Sequence, residues 1–385
     1  MFRGTPTCIR TAVIMGFILV VAVAAVVVGG TLEIKYYQGH ENGRVKGFDT
    51  VDVPMFRAQP MDSKFYTEVW FHEFQFKEQG IIVIVNVQIH NLGLSKGYCD
   101  TYITVSDASC GIVVDRSSLS PDEVKVDEEG FGISAGGHRI ELVGDEGDES
   151  DEYRVKYRGR DIQADFTCKI LVPSFQQGDG TVMFIESGDF VRYNFPIPWA
   201  EVSGTLTYKG ETHNLKGFGS MNHDWQILSP TRFMSDWRAY WMYTDDATIS
   251  IVRCSSSDLA GDWVQRLMVA ERGRILFSSH DYKFEEFEPA SVPGSNVPCP
   301  SLFRVEAAHG DDWLKGEIRV TRIQEKGNIL AEYPYLFRKL ALLFVEETWS
   351  YRFWMDFKFE FHQDGKTRLI QGKGTGNFVD SLKAD

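Results

Sequence analysis

The sequence lacks the short motifs that mark several large classes of enzyme and metalloprotein. It contains no Cys-x-x-Cys, His-x-His or His-Glu-x-x-His spacing, so neither a zinc ribbon nor a catalytic metal site is expected. Gly217 and Gly219 form a Gly-x-Gly pair, but the rest of a dinucleotide-binding fingerprint does not follow. We therefore expect no metal ion and no cofactor.

Positive charge is scarce as well. Among the 385 residues, 40 Lys and Arg stand against 54 Asp and Glu, which gives a formal net charge of −14 at pH 7. No clustered stripe of basic residues offsets this balance, so the phosphates of a nucleic acid would be repelled. We expect no nucleic acid among the partners of this protein.

Cysteine is infrequent, and its positions bear on the compartment. Six cysteines are present, of which Cys8 precedes a long apolar run. Cys99 and Cys110 flank a short hairpin-like stretch, where they would form a disulfide in an oxidising compartment or serve as buried small apolar residues. The sequence leaves both alternatives open. It also lacks an Asn-x-Ser/Thr glycosylation site, which favours a bacterial envelope over a eukaryotic secretory route.

The N-terminal run from Thr11 to Gly30 is uncharged and rich in Val, Ala and Ile. A helix of about twenty residues spans roughly 30 Å, the thickness of the apolar core of a bilayer. Arg3 and Arg10 precede the run, and basic flanks favour a cytoplasmic N-terminus. The alternative is a cleaved signal peptide, whose apolar region is usually only about 7–15 residues long. We expect a cytoplasmic tail (1–10), a single-pass transmembrane anchor (11–30) and a tether (31–44), with the remainder on the periplasmic side of a bacterial inner membrane.

Beyond the tether the dominant hydrophobic period is two. Apolar and mostly polar residues alternate sharply over Phe353–Phe361, and a similar alternation runs over Ile81–Ile89. Strict alternation over such lengths predicts strands with one apolar face. Turn-forming pairs such as Lys209-Gly210 and Asp364-Gly365 separate the candidate strands, and this combination favours an all-β sandwich or barrel. Further strand candidates are Arg154–Tyr157, Ile162–Leu171, Val202–Tyr208, Thr248–Arg253, Leu267–Ala270 and Lys315–Arg322.

Much of the segment Gly217–Trp225 occurs twice in the chain, at an offset of about 155 residues. The pairs that match are Gly217 with Gly372, Gly219 with Gly374, Ser220 with Thr375 and Asn222 with Asn377. A fixed offset indicates a repeated structural unit. The first copy ends in His223-Asp224-Trp225, whereas the second ends in Phe378-Val379-Asp380. The Gly-x-Gly portion therefore belongs to the scaffold, and the polar triplet is specific to the first copy.

A second internal sequence similarity supports a chain built from two similar halves. Glu68-Val-Trp70-Phe-His72 introduces the first long strand pair, and Asp236-Trp237-Arg-Ala-Tyr240-Trp241 stands in a similar place in the second half. Each half would begin with a Trp-bearing strand and end with the Gly-x-Gly strand. This arrangement predicts an N-terminal domain over residues 45–228 and a C-terminal domain over residues 229–385.

Three segments together resemble a known family. Glu68-Val-Trp70-Phe71 is similar to its Glu-Trp-Trp-Tyr-type start, and Tyr193–Pro196 followed by Val202-x-Gly204-x-Leu206 to its mid-chain segment. Gly217-x-Gly219…His223-x-Trp225 is similar to the motif that ends its first barrel, although Gln226 stands where the family often has Gly. The chain thus resembles the tandem-lipocalin proteins that include carotenoid 1,2-hydratase (hydroxyneurosporene synthase), AttH-like proteins and yeast survival-factor-type lipid carriers.

The resemblance implies an all-β fold of two lipocalin-like antiparallel barrels in tandem, behind the N-terminal transmembrane helix. It also implies a hydrophobic ligand, such as an isoprenoid, a carotenoid or another lipid. Two functions remain open at this point. The first is a membrane-anchored carrier or binding protein for such a molecule. The second is a cofactor-independent hydratase, isomerase or cyclase, similar to the carotenoid 1,2-hydratase lyases.

Eight residues are candidates for the site. His223 and Asp224 are titratable groups suited to protonating a double bond and activating a water. Because neighbours on a strand point to opposite faces, the two enter one barrel only if the strand bulges or ends there. Alternatively, Asp224 caps a turn, His223 binds backbone and Trp225 plugs a barrel end. The residues expected to line the ligand site are Trp70, His72, Trp225, Trp237, Tyr240 and Trp241.

Overall fold

A computed structural model describes most of the chain beyond residue 50. The described ranges are 34–36, 51–59, 61–91, 96–109, 111–127, 132–143, 151–184, 187–228, 236–255, 264–328 and 348–381. The predicted transmembrane anchor (11–30) and cytoplasmic tail (1–10) lie outside them. Within these ranges, no helix has the length and apolar character needed to cross a bilayer. Part of the predicted tether is a strand instead, since Ile34–Tyr36 pairs with Thr181–Phe184.

The first sheet is antiparallel and contains the strands of the first half of the chain. Its strands are β1 (Ile34–Tyr36), β2 (Tyr66–Phe76), β3 (Ile81–His90), β4 (Tyr98–Asp107), β5 (Gly111–Leu119), β6 (Val124–Val126), β7 (Gly132–Ala135), β8 (His138–Val143), β9 (Glu152–Arg158), β10 (Ile162–Ile170), β11 (Thr181–Phe184), β12 (Asp189–Tyr208) and β13 (Glu211–Ile227). The main path runs β5-β4-β3-β2-β13-β12-β10-β9-β8-β7-β6. A short helix, α1 (Val53–Phe56), precedes β2, and a 3₁₀ turn (Pro121–Glu123) precedes β6.

The second sheet is also antiparallel. Its strands are β14 (Asp236–Tyr243), β15 (Ala247–Ser255), β16 (Val264–Glu271), β17 (Arg274–Ser279), β18 (Lys283–Ala290), β19 (Cys299–His309), β20 (Asp312–Asn328), β21 (Thr348–Gln363) and β22 (Lys366–Ser381). They are ordered β17-β16-β15-β14-β22-β21-β20-β19-β18. The expected all-β class is confirmed, and the two sheets form a nearly closed barrel and a half-barrel.

The strands and turns predicted from the sequence are confirmed, although β3 is buried on both faces over most of its length. The stretches Ile81–Ile89 and Phe353–Phe361 lie within β3 and β21. Both residues of Lys209-Gly210 have positive φ (52° and 80°), as do both residues of Asp364-Gly365 (51° and 73°). Two consecutive positive φ values are the geometry of a type I′ hairpin turn, which joins twisted antiparallel strands without splaying them. Cys99 is a buried free thiol, and Cys110 lies outside the described residues.

Two hydrophobic cores lie on the enclosed faces of the sheets. The first core includes Trp70, Phe74, Phe166, Tyr153 and Met221 from strands across the first sheet. The second core is dominated by aromatic side chains, among them Tyr240, Phe303, Phe353 and Phe359. A third cluster lies between the sheets, and we call it the inter-sheet layer. It comprises Leu171, Val172, Phe175, Phe195, Trp199, Ala239, Trp241, Tyr243, Val252, Met268 and Ala270, with Phe71, Phe218, Trp237 and Ile275 packed against it.

The repeat read from the sequence corresponds to equivalent strands. In the first sheet the last strand, β13, pairs with β2, and in the second the last strand, β22, pairs with β14. Asn222 lies opposite Phe71, and its counterpart Asn377 lies opposite Ala239. The two tryptophans Trp70 and Trp237, however, are offset by one residue from equivalent positions. Trp237 lies opposite Val379, the counterpart of Asp224, so Trp237 corresponds to Val69 rather than to Trp70. A shift of one residue moves a side chain to the other face of a sheet.

Two glycines at equivalent places in the repeat differ in how closely the neighbouring strand approaches. A Cβ on Gly217 would lie 2.1 Å from the Gln75 carbonyl oxygen, whereas one on Gly372 would meet no atom closer than 3.3 Å. We expect Gly217→Ala to lower the free energy of unfolding by about 1–3 kcal/mol, because β2 and β13 must separate. Gly372→Ala should change it by less than about 1 kcal/mol. Denaturant unfolding of both variants checks this, and equal losses would contradict the assigned contacts.

Candidate functional site

Strand β13 separates the predicted site residues into two groups because its side chains alternate between two faces. On one face Met221 belongs to the first core, and His223 stacks on Trp70, with ring centroids 4.5 Å apart. On the other face Asp224 is close enough to the second-sheet residue Arg266 for that guanidinium to affect its pKa. His223 and Asp224 therefore point to opposite sides, as strand alternation requires, and do not act in one cavity.

His223 is fully buried in the first core and has a partner at each ring nitrogen. Its Nε2 lies 2.8 Å from Oε1 of Glu68, and its Nδ1 binds the carbonyl oxygen of Met55. A carbonyl only accepts hydrogen bonds, so Nδ1 carries a hydrogen. The imidazole and the Glu68 carboxyl then share one further proton between them.

Glu68 is the residue at this position that sequence reasoning passed over as a site candidate. It is 1% exposed, accepts a hydrogen bond from the Gln59 backbone N–H at 2.6 Å and is bonded to the hydroxyl of Tyr66. Burial, followed by the Glu68 charge, raises the pKa of Tyr66 well above its usual value. The sequence did contain a signal for Glu68: it precedes Trp70 by two residues, so on a strand the two side chains lie on the same face.

These side chains hold one segment of backbone across the first core. We call Val51–Gln59 the closing segment. The Trp70 indole N–H donates to the Phe56 carbonyl at 3.1 Å, His223 binds the Met55 carbonyl, and Tyr66 donates to the Gln59 carbonyl at 2.6 Å. Phe56 itself is 2% exposed and packs in the first core. The polar groups around His223 therefore attach the closing segment to the barrel wall.

His72 and Trp225 also lie on the core side. His72 is fully buried between Phe74 and Tyr153, with ring centroids 5.9 and 6.0 Å away. Burial lowers the pKa of His72 to about 3, so its ring is neutral at physiological pH. The Trp225 ring lies 5.0 Å from that of His223, and the Arg192 guanidinium lies 5.4 Å from the Trp225 centroid.

Trp237 and Trp241 belong to the inter-sheet layer, and Tyr240 belongs to the second core. The Trp241 ring stacks on Phe71 of the first sheet at 6.0 Å. Gln75 donates from Nε2 to the Trp241 carbonyl at 3.0 Å. The eight predicted site residues are thus divided among three places, and of these only Asp224, Trp237 and Trp241 face the region between the sheets.

A carboxyl lies toward each end of this region. Burial raises the pKa of Asp224 to about 6 against the effects of the Arg266 charge, the Asn194 N–H bond and His223. Burial raises the pKa of Glu73 to about 7, opposed by the Arg352 charge and by hydrogen bonds from Thr375 and Gln75. Glu73 lies opposite Ser220, four residues from Asp224. At about 3.3 Å per residue, the two carboxyls are roughly 13 Å apart along β13.

Between the two carboxyls lie a donor and an acceptor whose hydrogen-bonding capacity the described residues do not satisfy. Trp241 Nε1 and Asn222 Oδ1 are buried and have no hydrogen-bond partner within the described part of the chain. Asn222 lies opposite Phe71, the residue that stacks on Trp241. We call Phe71, Glu73, Asn222, Asp224 and Trp241 the inter-sheet strip. Phe71 and Asp224 are only partly buried, so solvent reaches this strip.

Comparison with known proteins confirms the fold that the sequence motifs implied. No protein-family model and no curated protein sequence matches the chain. Solved structures do match. An AttH-type protein from Nitrosomonas europaea is 14% identical, with 83% of this chain and 93% of that chain covered and a TM-score of 0.58.

Two further structures show the same similarity. CghA, solved with Sch210972, is 13% identical, with 83% and 89% of the two chains covered and a TM-score of 0.59. Kievitone hydratase from Nectria haematococca is 14% identical, with 90% and 98% covered and a TM-score of 0.55. At this level of identity the similarity concerns the fold. The chain has the fold of the AttH/CrtC-like lipocalin-type proteins.

Proposed function

We propose that this protein binds a hydrophobic small molecule at the inter-sheet strip. The observation that carries the proposal is the pairing of an aromatic wall with two polar atoms that lack partners within the described part of the chain. Phe71 and Trp241 supply the wall, and Trp241 Nε1 and Asn222 Oδ1 supply a donor and an acceptor. Ligand sites are mostly apolar, contain few polar groups and often lie where two structural units meet.

The polar atoms indicate the chemistry of the ligand. A ligand hydroxyl can both accept from the Trp241 indole N–H and donate to the Asn222 carbonyl oxygen, so we infer a ligand that carries a hydroxyl. Unpaired buried polar groups cost about 1–3 kcal/mol each, so a hydroxyl at this position would relieve two of them. Among the structural neighbours, one is named a hydratase and another was solved with a small molecule, Sch210972. These names support a small-molecule ligand for this fold.

The second candidate function is a cofactor-independent hydratase or isomerase, and Asp224 favours it. With a pKa of about 6, its carboxyl is partly protonated near neutral pH, which suits a general acid. In a hydration, the Asp224 proton would pass to one alkene carbon and a water oxygen would bond to the other. The proton released by that water would return to the Asp224 carboxylate, so that the net change is the addition of one water.

Ligand binding is tested first with Trp241→Phe, which removes the indole N–H but retains an aromatic ring. Organic extraction and mass spectrometry of the purified protein from residue 31 onward identify the molecule. We expect Trp241→Phe to weaken its binding about tenfold, the effect of one hydrogen bond. The control is Trp313→Phe, because Trp313 stacks on His362 in the second sheet, away from the strip. An unchanged Kd for Trp241→Phe, or a protein that binds no apolar molecule, would exclude the proposed site.

The two candidate functions are separated by Asp224→Asn. If the protein is a hydratase, this variant should still bind the extracted molecule but lose water addition, which is detected as a mass gain of one water in the wild-type reaction. The control is His223→Gln, whose side chain lies on the opposite face of β13. If neither protein changes the ligand, the binding function alone remains.

The membrane location remains a proposal based on the sequence. We propose that residues 11–30, which lie outside the described residues, anchor the chain in a bacterial inner membrane with both sheets on the periplasmic side. Full-length protein should then require detergent for extraction. Release by high salt alone would refute the anchor.

A further inference from the structure

The row of side chains that contains Phe71 continues across the first sheet beyond the inter-sheet strip. Phe71 lies opposite Asn222 on β13 and opposite Asn86 on β3. Asn86 in turn lies opposite Tyr102 on β4. Residues directly opposite each other on neighbouring strands point to the same face of a sheet, so this row faces the second sheet. Neighbouring strands are about 4.8 Å apart, which places Asn86 roughly 10 Å from Asn222.

Asn86 is a second buried hydrogen-bond acceptor in this row. It is 5% exposed, and its Nδ2 donates to the Tyr102 hydroxyl at 2.9 Å. This bond orients the amide. The amide oxygen Oδ1 is buried and has no hydrogen-bond partner within the described part of the chain. Asn86 therefore offers an acceptor on the far side of Phe71 from Asn222.

A donor from the second sheet lies against the same part of the first sheet. Tyr351 and Phe353 belong to the second core, so Arg352 between them points away from that core. Arg352 Nη1 donates to Glu325 at 3.0 Å, and the same carboxylate oxygen accepts from Ser106 of β4 at 3.0 Å. Arg352 is thereby held against the first sheet. Its Nε is buried and has no hydrogen-bond partner among the described residues.

The Arg352 charge acts on two groups beside Asn86. Burial raises the pKa of Tyr102, and the bond from Asn86 and the Arg352 charge oppose that rise. Burial also raises the pKa of Glu73, and the Arg352 charge opposes that rise as well. Glu73 lies opposite Ile84, two residues before Asn86 on β3. The Arg352 guanidinium and the Asn86 amide are therefore neighbours.

We propose that the ligand of the inter-sheet strip carries a second hydroxyl, which donates to Asn86 Oδ1 and accepts from Arg352 Nε. This inference rests on the function proposed for the strip, because the first hydroxyl is the one bound by Asn222 and Trp241. The two ends offer the same combination of one donor and one acceptor, on either side of Phe71. The ligand class is an apolar diol whose hydroxyls are roughly 10 Å apart and whose apolar body lies along the Phe71 ring.

The test uses 4,4′-biphenol and 4-hydroxy-4′-methylbiphenyl, which differ only in the replacement of one hydroxyl by a methyl group. The rigid biphenyl frame holds the two oxygens of the diol at about the spacing of the two ends. The diol should bind the wild type about tenfold more tightly than the methyl compound, the effect of one hydrogen-bonded group. In ¹⁵N-labelled protein the diol should shift the side-chain amide resonances of both Asn86 and Asn222.

Asn86→Ala assigns the preference to this residue. The variant should bind the two compounds with equal affinity, because only the acceptor for the second hydroxyl is lost. The control is Gln88→Ala, since Gln88 is the next residue on the same face of β3 and is partly buried. This control should keep the tenfold preference for the diol. If Asn86→Ala does not fold, the Asn86 resonance of the wild type decides the question.

Three results would overturn the second hydroxyl. They are equal affinity of the wild type for the two compounds, a preference that survives Asn86→Ala, and a diol that leaves the Asn86 resonance unchanged. The function proposed for the strip would still stand if Trp241→Phe weakens binding of the extracted molecule. A wild type that binds neither compound would refute the diol class, whereas the extraction experiment decides separately whether the strip binds a ligand.

Discussion

Replacement of His223 by alanine is expected to lower the free energy of unfolding by about 3–5 kcal/mol, the usual effect of breaking a buried pair. The change leaves the carboxyl of Glu68, which is 1% exposed, without its imidazole partner. It also removes the stacking on Trp70 and the bond to the Met55 carbonyl. Denaturant unfolding monitored by circular dichroism measures the loss.

A matched control and a double variant make this prediction specific. His213 lies on the same strand and is partly exposed, so His213→Ala should change stability by about 0.5 kcal/mol or less. The double variant His223→Leu/Glu68→Leu removes both polar groups. It should be more stable, by about 1–3 kcal/mol, than the summed losses of the single variants His223→Leu and Glu68→Leu predict. Additive losses, or a His223→Ala effect as small as that of His213→Ala, would show that the pair does not hold the closing segment.

Glu73→Gln is expected to stabilise the protein at high pH by about 3 kcal/mol relative to the wild type. The pKa of Glu73 rises from 4.5 to about 7 on folding, and each pKa unit corresponds to about 1.4 kcal/mol. Because the folded state binds this proton more tightly, the wild type loses stability as the pH rises from about 4.5 to 7. Glutamine cannot ionise, yet it retains an oxygen that accepts from Thr375 and Gln75.

The measurement is the difference in unfolding free energy between Glu73→Gln and the wild type at pH 4 and pH 8.5. The difference should be small at pH 4 and should favour the variant at pH 8.5. Comparison of the two proteins cancels the contributions of Asp224 and Asp380, whose pKa values are also raised to about 6. A variant that is less stable than the wild type at pH 8.5 would mean that the Arg352 charge outweighs the cost of burial.

Local patterns in the sequence were sufficient to predict the strands and the repeat. The alternation in β21 has a buried face and an exposed face, so its period of two is visible in the letters. The hairpin pairs Lys209-Gly210 and Asp364-Gly365 predicted their turns because few other residues adopt two consecutive positive φ values. The Gly-x-Gly repeat predicted equivalent strands because a neighbouring strand approaches both Gly219 and its counterpart Gly374: a Cβ there would lie 2.4 Å and 2.5 Å from the nearest atom.

The division of the site was not predictable from the same patterns. In β14 every residue except Trp237 is buried, since one face packs in the second core and the other in the inter-sheet layer. The sequence therefore carries no alternation that tells Trp241 from Tyr240. The similarity between the two tryptophan-bearing strands suggested that Trp237 and Trp70 occupy equivalent positions. Only the pairing register shows that the two side chains lie on different faces of their sheets. Gln59, which donates its backbone N–H to Glu68, lies in a segment without a repeat, which local patterns do not position.

The central claim is that the ligand lies between the two sheets, and a crystal structure with the extracted molecule bound tests it most directly. The account predicts ligand density against Phe71 and Trp241, with a polar ligand atom within hydrogen-bond distance of both Trp241 Nε1 and Asn222 Oδ1. Density confined to the first core beside His72, or to the second core beside Tyr240, with none along the inter-sheet strip, would contradict it.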